Sequence, residues 1–210
     1  LDPKRSVIVR EMDFAGTLLS HNPYYRRMGC ISDVCLFRLF GFDEVLSLDA
    51  SDYEGADIIF DLNGAGIGQV LDEPVDLVVD GGTIEHVFHV PNCLGNIFEA
   101  LKEGGQVMHM SPANNHLDHG FYQFSPTFFH DYYRANRFAD LSIQLVRTEQ
   151  VENAAPWTFT DYRPGDLREV SKGTLDDKVY LSFVIARKSA DSTANAVPQQ
   201  GYYEQTMWNA

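Results

Sequence analysis

Val75-Asp76-Leu77-Val78-Val79-Asp80-Gly81-Gly82 decides the fold, because an apolar β-rich run stops abruptly in an acidic, glycine-rich turn. Two runs upstream have a related form. Val45-Leu46-Ser47-Leu48 ends at Asp49, and Ala56-Asp57-Ile58-Ile59-Phe60 ends at Asp61-Leu62-Asn63. Downstream, Gly104-Gly105 leads into Gln106-Val107-Met108-His109-Met110 and then Ser111-Pro112. Short β-rich runs alternating with helical segments predict a parallel α/β sheet. Carboxylates at the C-terminal ends of such strands stand where open α/β sheets bind ligands.

Working outward, Ser6 to Val9 reads as a first strand, followed by Arg10-Glu11-Met12-Asp13-Phe14-Ala15-Gly16. Ser32-Asp33 starts a helix carrying Val34, Leu36, Phe37, Leu39 and Phe40, and Gly41 closes it. Pro91 suits a first helical turn, with Leu94, Ile97, Phe98 and Leu101 on one face. Pro126 starts another helix striped by Phe128, Phe129, Tyr132 and Tyr133. Leu141–Val146 and Val179–Ile185 predict a late antiparallel strand pair, separated by a polar stretch with Pro156, Trp157, Pro164 and Gly165. The expected architecture is a doubly wound, mainly parallel seven-stranded sheet with an antiparallel strand at one edge. Residues 1–188 form that domain. Residues 189–210 form a mobile tail or a surface arm, and its aromatic end from Tyr202 to Trp208 is a docking candidate.

The chain has 210 residues and is 44% hydrophobic, enough for one domain with a proper core. No apolar run approaches the ~20 residues of a membrane helix. A formal net charge of −14 argues against nucleic-acid partners, since an acidic surface repels phosphate backbones. Cys30, Cys35 and Cys93 lack CxxC spacing, which speaks against a disulfide framework or a structural zinc site and for a cytoplasmic protein.

At this point the chain resembles the class I S-adenosylmethionine-dependent methyltransferases. The resemblance rests on the runs from Leu46 to Asp57, Asp61 to Asn63, Asp76 to Phe88 and Leu101 to Gly105. The run from Ser111 to Pro126, with Asp118-His119-Gly120-Phe121-Tyr122-Gln123-Phe124-Ser125, is similar to a bacterial subgroup with mostly unassigned substrates. The resemblance covers about residues 6–146. It implies S-adenosylmethionine as cofactor, with Asp49 on the ribose and Ala50 beside it. It places Asp61 on the adenine amino group with Leu62 against the ring, and Asp80, Gly81 and Gly82 at the methionine end. One departure is that Gly16 is the only glycine after strand one, where the family carries a Gly-rich loop. Glu11 or Asp13 then becomes the candidate for the cofactor's ammonium.

Methyl transfer needs mainly alignment, and a base only when the acceptor arrives protonated. Glu85, His86 and His119 are the catalytic candidates, and His116 and Tyr122 the substrate-binding ones. The expected reaction methylates an oxygen or nitrogen of a small molecule. Three other readings compete. His116-Leu117-Asp118-His119 has an HxDH spacing which His86 and His109 would extend towards a metal site, but the fuller ligand pattern is missing and no metal is expected. A nicotinamide enzyme would need G-x-G-x-x-G after strand one. A methyltransferase-like fold kept as a non-catalytic binding or scaffold module agrees with the missing glycines.

Overall fold

The computed structural model describes residues 19–20, 26–52, 55–149, 155–169 and 172–201. The expected first strand, Glu11 and the segment to Gly16, and the aromatic end from Tyr202 lie outside them. The chain divides into two compact units, residues 1–59 and 60–210.

In the first unit, α1 spans Asp33–Leu39, with Ser32 at its N-cap and Gly41 at φ +92° past its end. Both boundaries follow the sequence signals. Strands β1 (Leu48–Asp49) and β2 (Ile58–Ile59) pair in parallel and are much shorter than the apolar runs that contain them. Side chains take over where the ladder stops. Ser47 donates its backbone N–H and its hydroxyl to Asp57 Oδ2 at 2.8 and 2.7 Å, and the Ser47 hydroxyl accepts from the Asp57 N–H.

The second unit contains β3 (Val75–Asp80), a 3-10 turn (Ile84–His86), α2 (Val90–Ala100), β4 (Leu101–Asn114), α3 (Pro126–Ala135), β5 (Ala139–Arg147), β6 (Thr158–Asp161) and β7 (Tyr180–Arg187). Its sheet has the order β3-β4-β7-β5-β6. Only β3 and β4 pair in parallel; β4–β7, β7–β5 and β5–β6 are antiparallel. The described residues thus form a mixed five-stranded sheet and a separate two-stranded pair, where a mainly parallel seven-stranded sheet was expected. The reason lies in the connections. Parallel neighbours need a crossover, which α2 supplies between β3 and β4. No helix appears among the described residues between β5 and β7, so these strands pair antiparallel. The expected antiparallel pair, β5 with β7, is present, but β7 lies inside the sheet, between β4 and β5. The antiparallel strand at an edge is β6, which the sequence hides because all four of its residues are exposed.

A continuous core joins Leu94 and Ile97 of α2, Phe129, Tyr132 and Tyr133 of α3, and Val107, Ile143, Val184 and Ala186 of the sheet. Pro91 occupies the first turn of α2, and α3 starts at Pro126, as their fixed φ favours. Lys188 ends β7 by donating to the carbonyls of Phe98 and Leu101 at 2.8 and 2.7 Å, satisfying acceptors at the end of α2.

Residues 189–201 lie as an arm against α3. Asn136 anchors it. Its Oδ1 accepts from the Thr193 hydroxyl and the Ala196 N–H, and its Nδ2 donates to the carbonyls of Tyr132 and Ala196. The Tyr132 hydroxyl donates to the Ala194 carbonyl, and Gly201 N–H reaches Asp131 Oδ2 at 2.9 Å. Asn136 is fully buried, so Asn136→Ala should cost about 2–4 kcal/mol from several lost bonds of ~0.5–1.5 kcal/mol each and the partners left unpaired. Urea unfolding measures the loss, and hydrogen exchange should accelerate at residues 193–196. Exchange there at the wild-type rate would mean that Asn136 does not hold the arm.

Candidate active site

Strand β3 ends at Asp80, and the next few residues build the site. Asp80 is buried. Its Oδ1 accepts from the backbone N–H groups of Thr83 and Ile84 at 2.9 and 3.0 Å, closing the turn through Gly81 and Gly82. Its Oδ2 lies 2.5 Å from His109 Nδ1, and His109 Nε2 lies 2.5 Å from the Tyr133 hydroxyl. Burial alone would raise the Asp80 pKa. The bond to His109, the attraction of its ring and the two backbone donors outweigh it and hold the carboxyl below the usual range. Burial, with the neighbouring Tyr132 and Asp80, keeps Tyr133 a phenol far beyond its ordinary pKa. Asp80 and the Tyr133 hydroxyl thus partner the two ring nitrogens of His109, so every member of the buried group has a hydrogen bond.

The sequence did not single out Asp80–His109–Tyr133 as a unit. Its signal is the register: Asp80 and His109 are direct partners on neighbouring parallel strands.

Glu85 lies in the 3-10 turn beyond Gly82 and is 1% exposed, yet neither carboxylate oxygen has a hydrogen-bond partner. His119 Nε2 faces its Oε1 at 3.5 Å. Burial raises the Glu85 pKa first; the carboxyl's own backbone N–H opposes the rise, Asp80 adds to it, and His86 and His119 oppose it. The loop after β4 is tied to this turn, since the N–H groups of Phe121 and Tyr122 donate to the Glu85 carbonyl at 2.8 and 3.3 Å. Two glycines make room. A Cβ at Gly120 would stand 2.9 Å from the Glu85 carbonyl oxygen, and one at Gly82, whose φ is +94°, would stand 3.3 Å from Oε1.

The structure therefore brings Glu85, His86 and His119 together. The His86 and His119 rings meet edge-on at 5.0 Å, and His116 stacks on His119 at 3.9 Å with nearly parallel planes. His116 is depressed by burial and then by His119, and its Nδ1 is buried without a partner. Tyr122 is half-buried, and its hydroxyl donates to the Phe88 carbonyl at 2.9 Å. Phe88 and Phe121 are exposed and pack edge-on at 5.5 Å beside this loop, whereas Phe129 is buried in the core.

The other sequence candidates have partners of their own. Asp61 is exposed; its Oδ1 accepts both the backbone and side-chain N–H of Asn63, which lowers its pKa. Leu62 packs on the core, and Asn63 binds the start of α2 by accepting from His89 N–H. Asp49 belongs to the first unit, where its Oδ1 takes the Ser51 N–H and hydroxyl in a local turn; Ala50 is exposed there.

No protein-family model matches the chain, and no curated protein matches it. Among solved structures it is similar to TehB from Haemophilus influenzae, at 16% identity and a TM-score of 0.46, over 75% of this chain and 53% of TehB. The match thus spans about half of that protein, and a likeness of this depth says nothing about chemistry. Among the described residues no helix is long and apolar enough to cross a membrane.

Proposed function

We propose that the chain transfers a methyl group from S-adenosylmethionine to an oxygen or nitrogen of a small molecule. The observation that carries this reading is the Glu85 carboxylate, buried and without a hydrogen bond beside the exposed His119, a few residues past the Gly81-Gly82 turn. A carboxylate kept from water and from partners is a stronger proton acceptor than a solvated one. An acceptor hydroxyl or ammonium must lose a proton as it is methylated.

The bound cofactor would supply the methyl group on a sulfonium. Two features of the second unit fit it. A Cβ at Gly81 would meet nothing within 4 Å, so the turn is open to close approach, and Asp61 exposes a carboxylate suited to an amino group. Asp80 already accepts three bonds, so its part is to fix the turn that presents Gly81 and Gly82. The ribose role of Asp49 and the ammonium role of Glu11 come from the sequence resemblance alone.

Titration calorimetry with S-adenosylmethionine and its demethylated product tests the reading. Binding of both is expected, and Asp49→Ala should weaken it about tenfold or more, as loss of charge-assisted bonds worth ~1.5–3 kcal/mol implies. Equal affinity in Asp49→Ala would remove Asp49 from the proposal. No binding to the wild type would leave the non-catalytic scaffold reading, which the single glycine between Arg10 and Gly16 favours.

A further inference from the structure

We propose that Glu85, His86 and His119 form a binding site for a divalent transition-metal ion of the zinc class. One ligand atom from each of the three lies within 4.8 Å of the others. The second observation is independent of that grouping: both oxygens of Glu85 are buried without a hydrogen bond. Burying a carboxylate costs several kcal/mol unless a cation or donors compensate it. Among the described residues its ion-pair partner is His119 alone, at 3.5 Å. A metal ion would supply the missing charge.

The geometry suits such an ion. Ligands about 2.0–2.1 Å from a tetrahedral zinc stand roughly 3.3 Å from one another. The separation of 3.5 Å between His119 Nε2 and Glu85 Oε1 is close to that value, and exposed His86 can turn to complete the set. Two imidazoles and one carboxylate favour zinc, cobalt or nickel over magnesium or calcium, which prefer oxygen alone. Three protein ligands leave a coordination position open, as in catalytic zinc sites.

The surroundings hold the ligands in place. Gly82 and Gly120 pack against Glu85 where no side chain fits. The Glu85 carbonyl pins the loop bearing His119 through Phe121 and Tyr122, and His116 fixes the plane of the His119 ring by stacking. The HxDH spacing thus points to the right loop, but His119 pairs with Glu85 and His86 from the other segment while His116 stacks behind it. This departs from the sequence expectation of no metal; a bound ion would occupy the Glu85 carboxylate, so the base role proposed above belongs to the metal-free chain, and the metal site stands whether or not the chain transfers methyl groups.

The test is titration calorimetry of the full chain, stripped with EDTA, against zinc chloride and separately magnesium chloride, with no cofactor or acceptor present. One zinc per chain is expected, with magnesium far weaker. His119→Ala and Glu85→Gln should each weaken zinc binding by at least about tenfold, since loss of a supporting residue alone costs ~10–100-fold. His130→Ala, on α3, should bind as wild type does. Zinc should also raise the melting temperature of the wild type and not of His119→Ala. His119 is partly exposed, so its replacement by Ala leaves the fold intact and its result readable. Absence of one-to-one zinc binding, or wild-type affinity in His119→Ala, overturns the proposal.

Discussion

Asp80→Ala should be among the most destabilising single changes in the second unit, by about 3–5 kcal/mol, since a buried group left without its partner costs ~1–3 kcal/mol and three donors lose theirs. The substitution leaves three donors without their acceptor: the N–H groups of Thr83 and Ile84 and His109 Nδ1. It also unlocks the turn that carries Gly81 and Gly82. Asp80→Asn should cost less, because its carbonyl still serves Thr83 and Ile84, while His109 can change tautomer to accept the new amide and donate to Tyr133. Urea unfolding at neutral pH measures both, and equal losses for the two variants would mean that the carboxylate's link to His109, not the acceptor on the turn that Asn keeps, carries the stability. The pH dependence has a definite sign. The Asp80 pKa is lower folded than unfolded, so its contribution is present above the ordinary carboxyl value of 3.8 and is lost as pH falls through the still lower folded value. Asp80→Ala should therefore narrow its gap from the wild type in acid. A gap independent of pH down to acid unfolding would show that the carboxylate charge is not what stabilises.

The periodic elements were legible in the sequence because their signals are local. Ser32 and Gly41 bound α1, Pro91 and Pro126 open α2 and α3, and the Phe129–Tyr133 stripe faces the core. Sheet order was not legible, because it depends on which distant strands meet. β7 enters between β4 and β5, about 70 residues after β4, and nothing local marks that choice. The site was legible in part for the same reason. Glu85, His86, His116, His119 and Tyr122 follow strand ends, and the structure gathers them around one turn. What the sequence could not give was the state of each group. Asp80 reads as a ligand-facing acid but is turned inward to His109, and Glu85 reads as a candidate base, with nothing in the sequence to show that its carboxylate is buried without a hydrogen bond. Burial and pairing are tertiary facts, and the local sequence does not carry them.

Glu85→Gln should abolish most turnover and yet make the metal-free protein more stable. Both effects come from the same two unpartnered oxygens. As the proton acceptor of the proposed transfer, Glu85 would contribute the ~10²–10⁴-fold typical of general-base catalysis, and glutamine keeps the shape while losing the basicity. Affinity for S-adenosylmethionine should stay near that of the wild type, because the loss falls on the acceptor's proton and not on the cofactor; turnover then falls with little change in cofactor binding. For stability, an ionised carboxylate buried without partners is a standing cost, and a neutral amide of equal size lowers it by about 1–3 kcal/mol. His119→Ala should also slow turnover, with no gain in stability, because it removes the imidazole that faces that carboxylate at 3.5 Å. A merely structural Glu85 predicts the opposite pairing, with stability and turnover falling together. Melting curves of the metal-free variants beside single-turnover rates with saturating cofactor separate the two, and a Glu85→Gln variant both less stable and less active would remove Glu85 from the chemistry.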